Sequence, residues 1–131
     1  MVCLDTDILV AFLRGVPAAK VKMESLLMAG EQLSTTPINA TELFKGVFRM
    51  SNGKRELEQV TGVMSSLTLL DYGSECARKA GELMQVLMKK GEYIGDMDCI
   101  IAAIVMVHSQ VLVTRNLEHF ERVPGLRIEK W

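Results

Sequence analysis

Five carboxylates stand where an α/β chain delivers chemistry: Asp5, Asp7, Glu42, Asp96 and Asp98. Asp5 closes a short apolar run (Val2, Cys3, Leu4), and a helix-like apolar stretch follows within two residues and stops at Gly15. A buried strand that ends in an acid places that acid in the crevice where open parallel sheets collect their ligands. Several carboxylates in one crevice repel one another unless some are protonated or a cation lies between them. Oxygen donors without nearby His or Cys suit Mg²⁺ or Mn²⁺ rather than zinc. Such a site is matched to phosphate chemistry, where a divalent ion activates water and neutralises the charge of the transition state.

Each acid also has a purely local reading. Asp7 reads as the N-cap of a helix starting at Ile8, a role preferred over metal ligation. Asn39 and Glu42, three apart, match a capping box. Asp96 and Asp98 suit the positive end of a helix dipole. Asp98, however, lies one turn into a helix with little polar surface, where a carboxylate needs a partner. The set carries more weight than any member.

The elements that position these groups follow from periodicity. Pro17 opens a second helix that ends at Gly30, and Gln32 to Thr36 is a short strand closed by Pro37. Residues 38–49 and 54–66 are amphipathic at helical spacing, and Leu67 to Leu70 is a strand. Ser74 is positioned to cap a long helix reaching Gly91. The helix after Gly95 is apolar around most of its circumference (Ile100, Ile101, Ile104, Val105, Val107), which marks it as central and buried. Val111 to Val113 and Leu126 to Glu129 are the last strands. Alternating strands and helices imply a parallel sheet covered on both faces, in one α/β domain spanning residues 1–131.

Composition narrows the function classes. The 131 residues are 49% hydrophobic and 24% charged, with a net charge of −1. A sequence pI near 6.1 leaves no global basic footprint, so a polyanion must be held by local cations. Cys3, Cys76 and Cys99 lie apart in apolar runs and read as buried hydrophobes in a reducing compartment. No leader is discernible, and the longest apolar run, Cys99 to Val107, is too short to span a bilayer, so the cytosol is expected. His108 is expected near the negative end of the buried helix, and His119 falls in a Glu-His-Phe turn. Neither has zinc spacing, and no nucleotide-binding glycine loop is present.

Leu4-Asp5-Thr6-Asp7-Ile8-Leu9, Thr41-Glu42-Leu43, Asp98-Cys-Ile-Ile-Ala102-Ala103 and Val113-Thr114-Arg115-Asn116-Leu-Glu-His-Phe120 occur in the order and spacing of a PIN domain. The ending, Glu121-Arg-Val-Pro-Gly-Leu-Arg-Ile-Glu-Lys-Trp131, resembles the VapC toxin branch of that family. The resemblance covers essentially the whole chain. It implies a three-layer α/β/α fold with a five-stranded parallel sheet. It also implies a Mg²⁺- or Mn²⁺-dependent endoribonuclease that cleaves RNA phosphodiesters with metal-activated water, a homodimer, and a VapB-like antitoxin that plugs the site. Asp5, Glu42 and Asp98 match the family's principal acids, and Asp96 a variable neighbouring one. Thr114, with Thr6, supports them. Asn116 stands where many members carry a fourth acid, which removes one charge from the second cation site. Arg14, Lys45, Arg49 and Arg115, close in sequence to the acids, are expected to hold flanking phosphates.

Two other readings fit parts of the pattern. Asp5-Thr6-Asp7 after an apolar strand resembles the opening of aspartyl-phosphate phosphatases and phosphotransferases, although no lysine stands at a plausible strand end. A catalytically silent RNA- or protein-binding module is favoured only by Asn116.

Overall fold

The computed structural model describes residues 1–131. Strand β1 (Val2–Leu4) leads into α1 (Thr6–Leu13) and α2 (Pro17–Met28). Strand β2 (Leu33–Thr35) is followed by α3 (Pro37–Phe48) and α4 (Lys54–Ser65). Strand β3 (Thr68–Leu69) precedes the long α5 (Ser74–Lys89), and α6 (Asp96–Val107) leads to β4 (Val111–Val113). A short α7 (Leu117–Phe120) and β5 (Ile128–Glu129) complete the chain.

All five strands are parallel, in the order β3-β2-β1-β4-β5. The first strand is therefore central, flanked by β2 and β4, and its carboxyl end is the middle of the sheet edge. Side chains alternate across a strand. Val2 and Leu4 accordingly join the core formed with Ile8, Leu9, Met23, Leu43 and Val60, under α1 to α4. Cys3 and Leu112 join the opposite core with Leu83, Leu87, Ile101, Ile104 and Phe120, under α5 to α7. This is the three-layer α/β/α arrangement with a five-stranded parallel sheet that the sequence implied.

Local chemistry explains most boundaries. Gly15 and Gly30 adopt φ of +74° and +78°, which a glycine reaches without strain, and they end α1 and α2. Two expected caps are replaced. Thr36, not Asn39, caps α3: its hydroxyl accepts from the Asn39 backbone N–H, and Pro37 occupies the first helical position rather than merely closing the strand. Gly73, not Ser74, precedes α5, and Ser74 is already helical. The Glu-His-Phe turn is the helix α7.

His108 caps the carboxyl end of α6, but its ring reaches across to the Asp71 carbonyl, with Nε2 at 3.0 Å.

Candidate metal and phosphodiester site

The carboxyl ends of β1 and β4, with residues of α1, α3 and α6, surround a cleft of about 580 Å³. Asp5, Thr6, Asp7, Glu42, Asp98, Asn116, Arg14 and Arg115 line it, together with Trp131. Acids separated by up to 93 residues in sequence thus face one space.

Asp5 is its floor. It is only 7% exposed, and it is also the N-cap of α1, accepting from the Thr6 N–H at 2.8 Å. The same oxygen accepts from Asn39 Nδ2 at 2.9 Å, and the other from the Thr114 hydroxyl at 2.6 Å. The second Asn39 N–H reaches Thr6 Oγ1, also at 2.9 Å, and the Thr6 hydroxyl donates to Glu42. Asn39 is fully buried and joins α3 to α1 beneath two of the acids. The capping-box reading with Asn39 as cap and Glu42 as its partner is therefore wrong: Asn39 Oδ1 accepts from the Thr36 hydroxyl at 2.6 Å while its amide N–H groups reach across to Asp5 and Thr6, and Glu42 is bound by Thr6 rather than by its own helix end.

Asp7 is not an N-cap either, because the helix has already begun at Thr6. Its Oδ2 accepts from the Arg115 N–H at 2.8 Å and lies 3.1 Å from the Thr114 hydroxyl. Its Oδ1 accepts from the Trp131 indole at 2.9 Å. With both oxygens engaged, Asp7 ties α1 to the loop after β4 and to the last residue.

Asp98 is paired with His119, Nδ1 to Oδ2 at 2.7 Å, and Asn116 Nδ2 lies 3.4 Å from the same oxygen. Asn39, expected as a cap, His119, expected in a turn, and Trp131, expected only in the closing motif, are the residues whose place at the site the sequence did not show. Asn116 lines the cleft as expected. Asp96 is exposed at the head of α6 and does not line it. Among the basic residues, Arg14 and Arg115 are at the cleft, whereas Lys45 and Arg49 are exposed on α3 outside its lining.

No ion pair engages Asp5, Asp7 or Glu42. The electrostatic consequence appears at Asp5, whose carboxyl is pushed up to about 6 by burial above all. The Thr114 and Thr6 hydrogen bonds oppose the rise, and the neighbouring charges of Asp7 and Asp98 add to it. Cys99, behind the site, is likewise raised, first by burial and then by Asp96 and Asp98.

These donors fit a hard divalent cation: they are oxygens, Asp5 and Glu42 have no ion-pair partner, and their orientation is fixed by hydrogen bonds. As arranged, no three of the acidic, His or Cys side chains already form a closed ligand cluster. Asp5, Glu42 and Asp98 are each held by protein donors around an open space. No lysine lines the cleft, which leaves the aspartyl-phosphate reading without its cationic partner, and all four carboxylate oxygens of Asp5 and Asp7 are already hydrogen-bonded.

The PIN domain family model matches residues 2–126. Among curated relatives, the tRNA(fMet)-specific endonuclease VapC of Salmonella typhimurium is 36% identical over 100 residues, 76% of each chain. Ribonuclease VapC2 of Rickettsia felis is 30% identical over 128 residues, 98% of this chain and 96% of that protein. Among solved structures, VapBC2 from Rickettsia felis, bound to a DNA fragment from its promoter, superposes with a TM-score of 0.91 at 28% identity, covering 100% of this chain and 99% of that one. DNA-bound VapBC from Salmonella typhimurium gives 0.90 at 32% identity with the same coverage.

Proposed function

Since the chain belongs to the PIN-domain family, within its VapC ribonucleases, we propose that it is a divalent-metal-dependent endoribonuclease whose reaction is hydrolysis of RNA phosphodiesters in the cleft above Asp5. The observation that carries this reading is the convergence of Asp5, Glu42 and Asp98 on one space with no basic side chain paired to the first two.

Asp5, Glu42 and Asp98 would hold the cation, with the Asn116 amide oxygen as a weaker donor beside Asp98. Mg²⁺ and Mn²⁺ are the ions this hard oxygen set suits. When bound, the ion supplies a Lewis acid that lowers the pKa of water and neutralises charge on the phosphoryl oxygens. The chain's own contribution is positioning. Asn39 and Thr114 fix the plane of the Asp5 carboxylate, Thr6 fixes Glu42, and His119 fixes Asp98. Ligands held in this way need no reorganisation when the reaction begins. Arg14 and Arg115 at the rim draw the phosphates of the strand toward an otherwise repulsive cleft. In-line displacement at phosphorus would leave a 5′-phosphate and a 3′-hydroxyl, without use of the RNA 2′-hydroxyl.

A VapB-like antitoxin is the proposed protein partner. The geometry offers it a foothold: an apolar groove of Leu13, Leu43, Val47, Met50 and Val60 runs beside the cleft and shares Val10 and Arg14 with it. A partner segment lying in that groove reaches the acids directly. No helix is long and apolar enough to cross a membrane. The proposed working form is a one-domain cytoplasmic protein that forms a homodimer.

The test is incubation with structured and unstructured RNA in Mg²⁺, in Mn²⁺ and in EDTA. Fragments ending in 5′-phosphate are expected with either ion and not with the chelator. Undiminished cleavage in EDTA contradicts the metal-dependent reading, and intact RNA under every condition contradicts the nuclease.

A further inference from the structure

One wall of the cleft carries a feature that metal-ion chemistry does not require. Trp131, the chain's one tryptophan, lies with the Arg115 guanidinium stacked on its ring, 3.5 Å from guanidinium carbon to ring centroid. Both side chains line the same cleft as Asp5, Glu42 and Asp98. The stack is fixed from several directions. Arg115 Nε donates to the Trp131 carbonyl at 2.9 Å, and the Arg115 backbone N–H donates to Asp7 at 2.8 Å. The indole N–H donates to the other Asp7 oxygen at 2.9 Å, and Lys22 pairs with Glu129 two residues earlier. Trp131 is partly buried against the core under α1 to α4, while Arg115 is exposed.

A rigid, exposed guanidinium plane backed by an indole is a surface on which an unpaired nucleobase stacks. Arginine planes and aromatic rings are the platforms by which proteins hold single-stranded RNA. A base in a duplex has both faces covered and is unavailable to such a platform. Phosphate attraction alone would need only the charge of Arg115, not an indole beneath it.

We propose that the Arg115–Trp131 stack is a platform that seats one unpaired RNA base beside the acidic cleft. This rests on the ribonuclease reading for the identity of the ligand. Asp7 is then a positioning residue: it holds both halves of the platform and touches no substrate.

The experiment measures binding, independent of turnover. A fluorescently labelled single-stranded RNA of about twelve nucleotides, a length in the range of single-strand site sizes, is titrated with the Asp98→Asn chain, so that no cleavage interferes, and followed by anisotropy. Each nucleotide in turn is replaced by an abasic residue. One abasic position is expected to weaken binding roughly 5- to 150-fold, the range of a lost base stack. In the Trp131→Ala and Arg115→Ala backgrounds the same replacement should cost nothing further. Trp131→Phe, which keeps the ring and loses the N–H to Asp7, should retain most of the penalty and guards against a merely structural effect of the alanine. An equal penalty in all backgrounds, or none at any position, overturns the proposal. RNA that is bound with this coupling but never cleaved by the unmutated chain would refute the nuclease and leave the platform standing. Cleavage without the coupling would do the reverse.

Discussion

The two ends of the sheet carry buried polar networks of opposite character. At the amino end, the Ser34 hydroxyl lies within hydrogen-bond distance of the Val2 carbonyl and of Gln110 Oε1, all buried and all neutral. At the carboxyl end, Thr36, Asn39 and Thr114 are just as deeply buried, but the network they belong to ends on the carboxylates Asp5, Asp7 and Glu42. The first network closes on itself and stabilises the strand pairing. The second satisfies the geometry of its acids without neutralising them, and so leaves a charge that only a ligand can balance. Buried hydroxyls and amides are common to both ends; uncompensated charge distinguishes the functional one.

Mutating the charged end should break activity, and mutating the neutral end should not. Asp5→Asn or Asp98→Asn is expected to lower metal-dependent RNA cleavage by more than roughly a thousandfold, the scale of losing a group that stabilises transition-state charge. Circular dichroism should show the fold intact. Wild-type cleavage rates in either variant would refute the assignment.

The next effect is on stability. Asp5 holds its proton up to about pH 6 in the fold, against an ordinary value of 3.8. Between those values the folded chain binds more protons than the unfolded one, so stability falls as pH rises and levels off above pH 6. The loss is at most about 3 kcal/mol. Thermal melts in EDTA from acid to neutral pH should show it in the wild type, and Asp5→Asn should remove that part of the slope. A wild-type chain that gains stability over this window because of Asp5 contradicts the origin of the shift.

At the neutral end, Gln110→Ala should cost about 1–2 kcal/mol in denaturant unfolding, from lost hydrogen bonds in a buried site, with RNA cleavage unchanged. The smallest change sharpens the contrast from the other side. Asn116→Asp adds a charge beside Asp98, and should lower metal-free stability by about 0.5–1 kcal/mol while tightening Mn²⁺ binding by calorimetry. Unaltered Mn²⁺ affinity would place Asn116 outside the ion's reach.

Much of this arrangement was legible locally. An apolar triplet ending in Asp5, and a helix with Asp98 on its first turn, are patterns contained within a dozen residues. What local rules misjudged were side chains whose partners are distant in sequence. Asn39 has the chemistry of a cap, and only the packing of α3 beside α1 turns it toward Asp5, 34 residues away. Asp7 likewise looks like a cap until β4 and the chain's last residue supply its donors. His119 gains meaning once α7 folds against α6, and Trp131 once β5 returns beside β4. Sequence proximity to the acids was also a poor guide to basic groups: Arg14 and Arg115 reach the cleft, whereas Lys45 and Arg49, on the same helix as Glu42, do not line it.

The most direct measurement is anomalous diffraction from a crystal soaked in Mn²⁺. A peak within coordinating distance of Asp5 and Asp98 carboxylate oxygens, and absent from an Asp98→Asn crystal, is the expected result. A cleft that stays free of Mn²⁺ while the ion binds elsewhere on the surface would contradict the claim that these acids are held apart in order to share a cation.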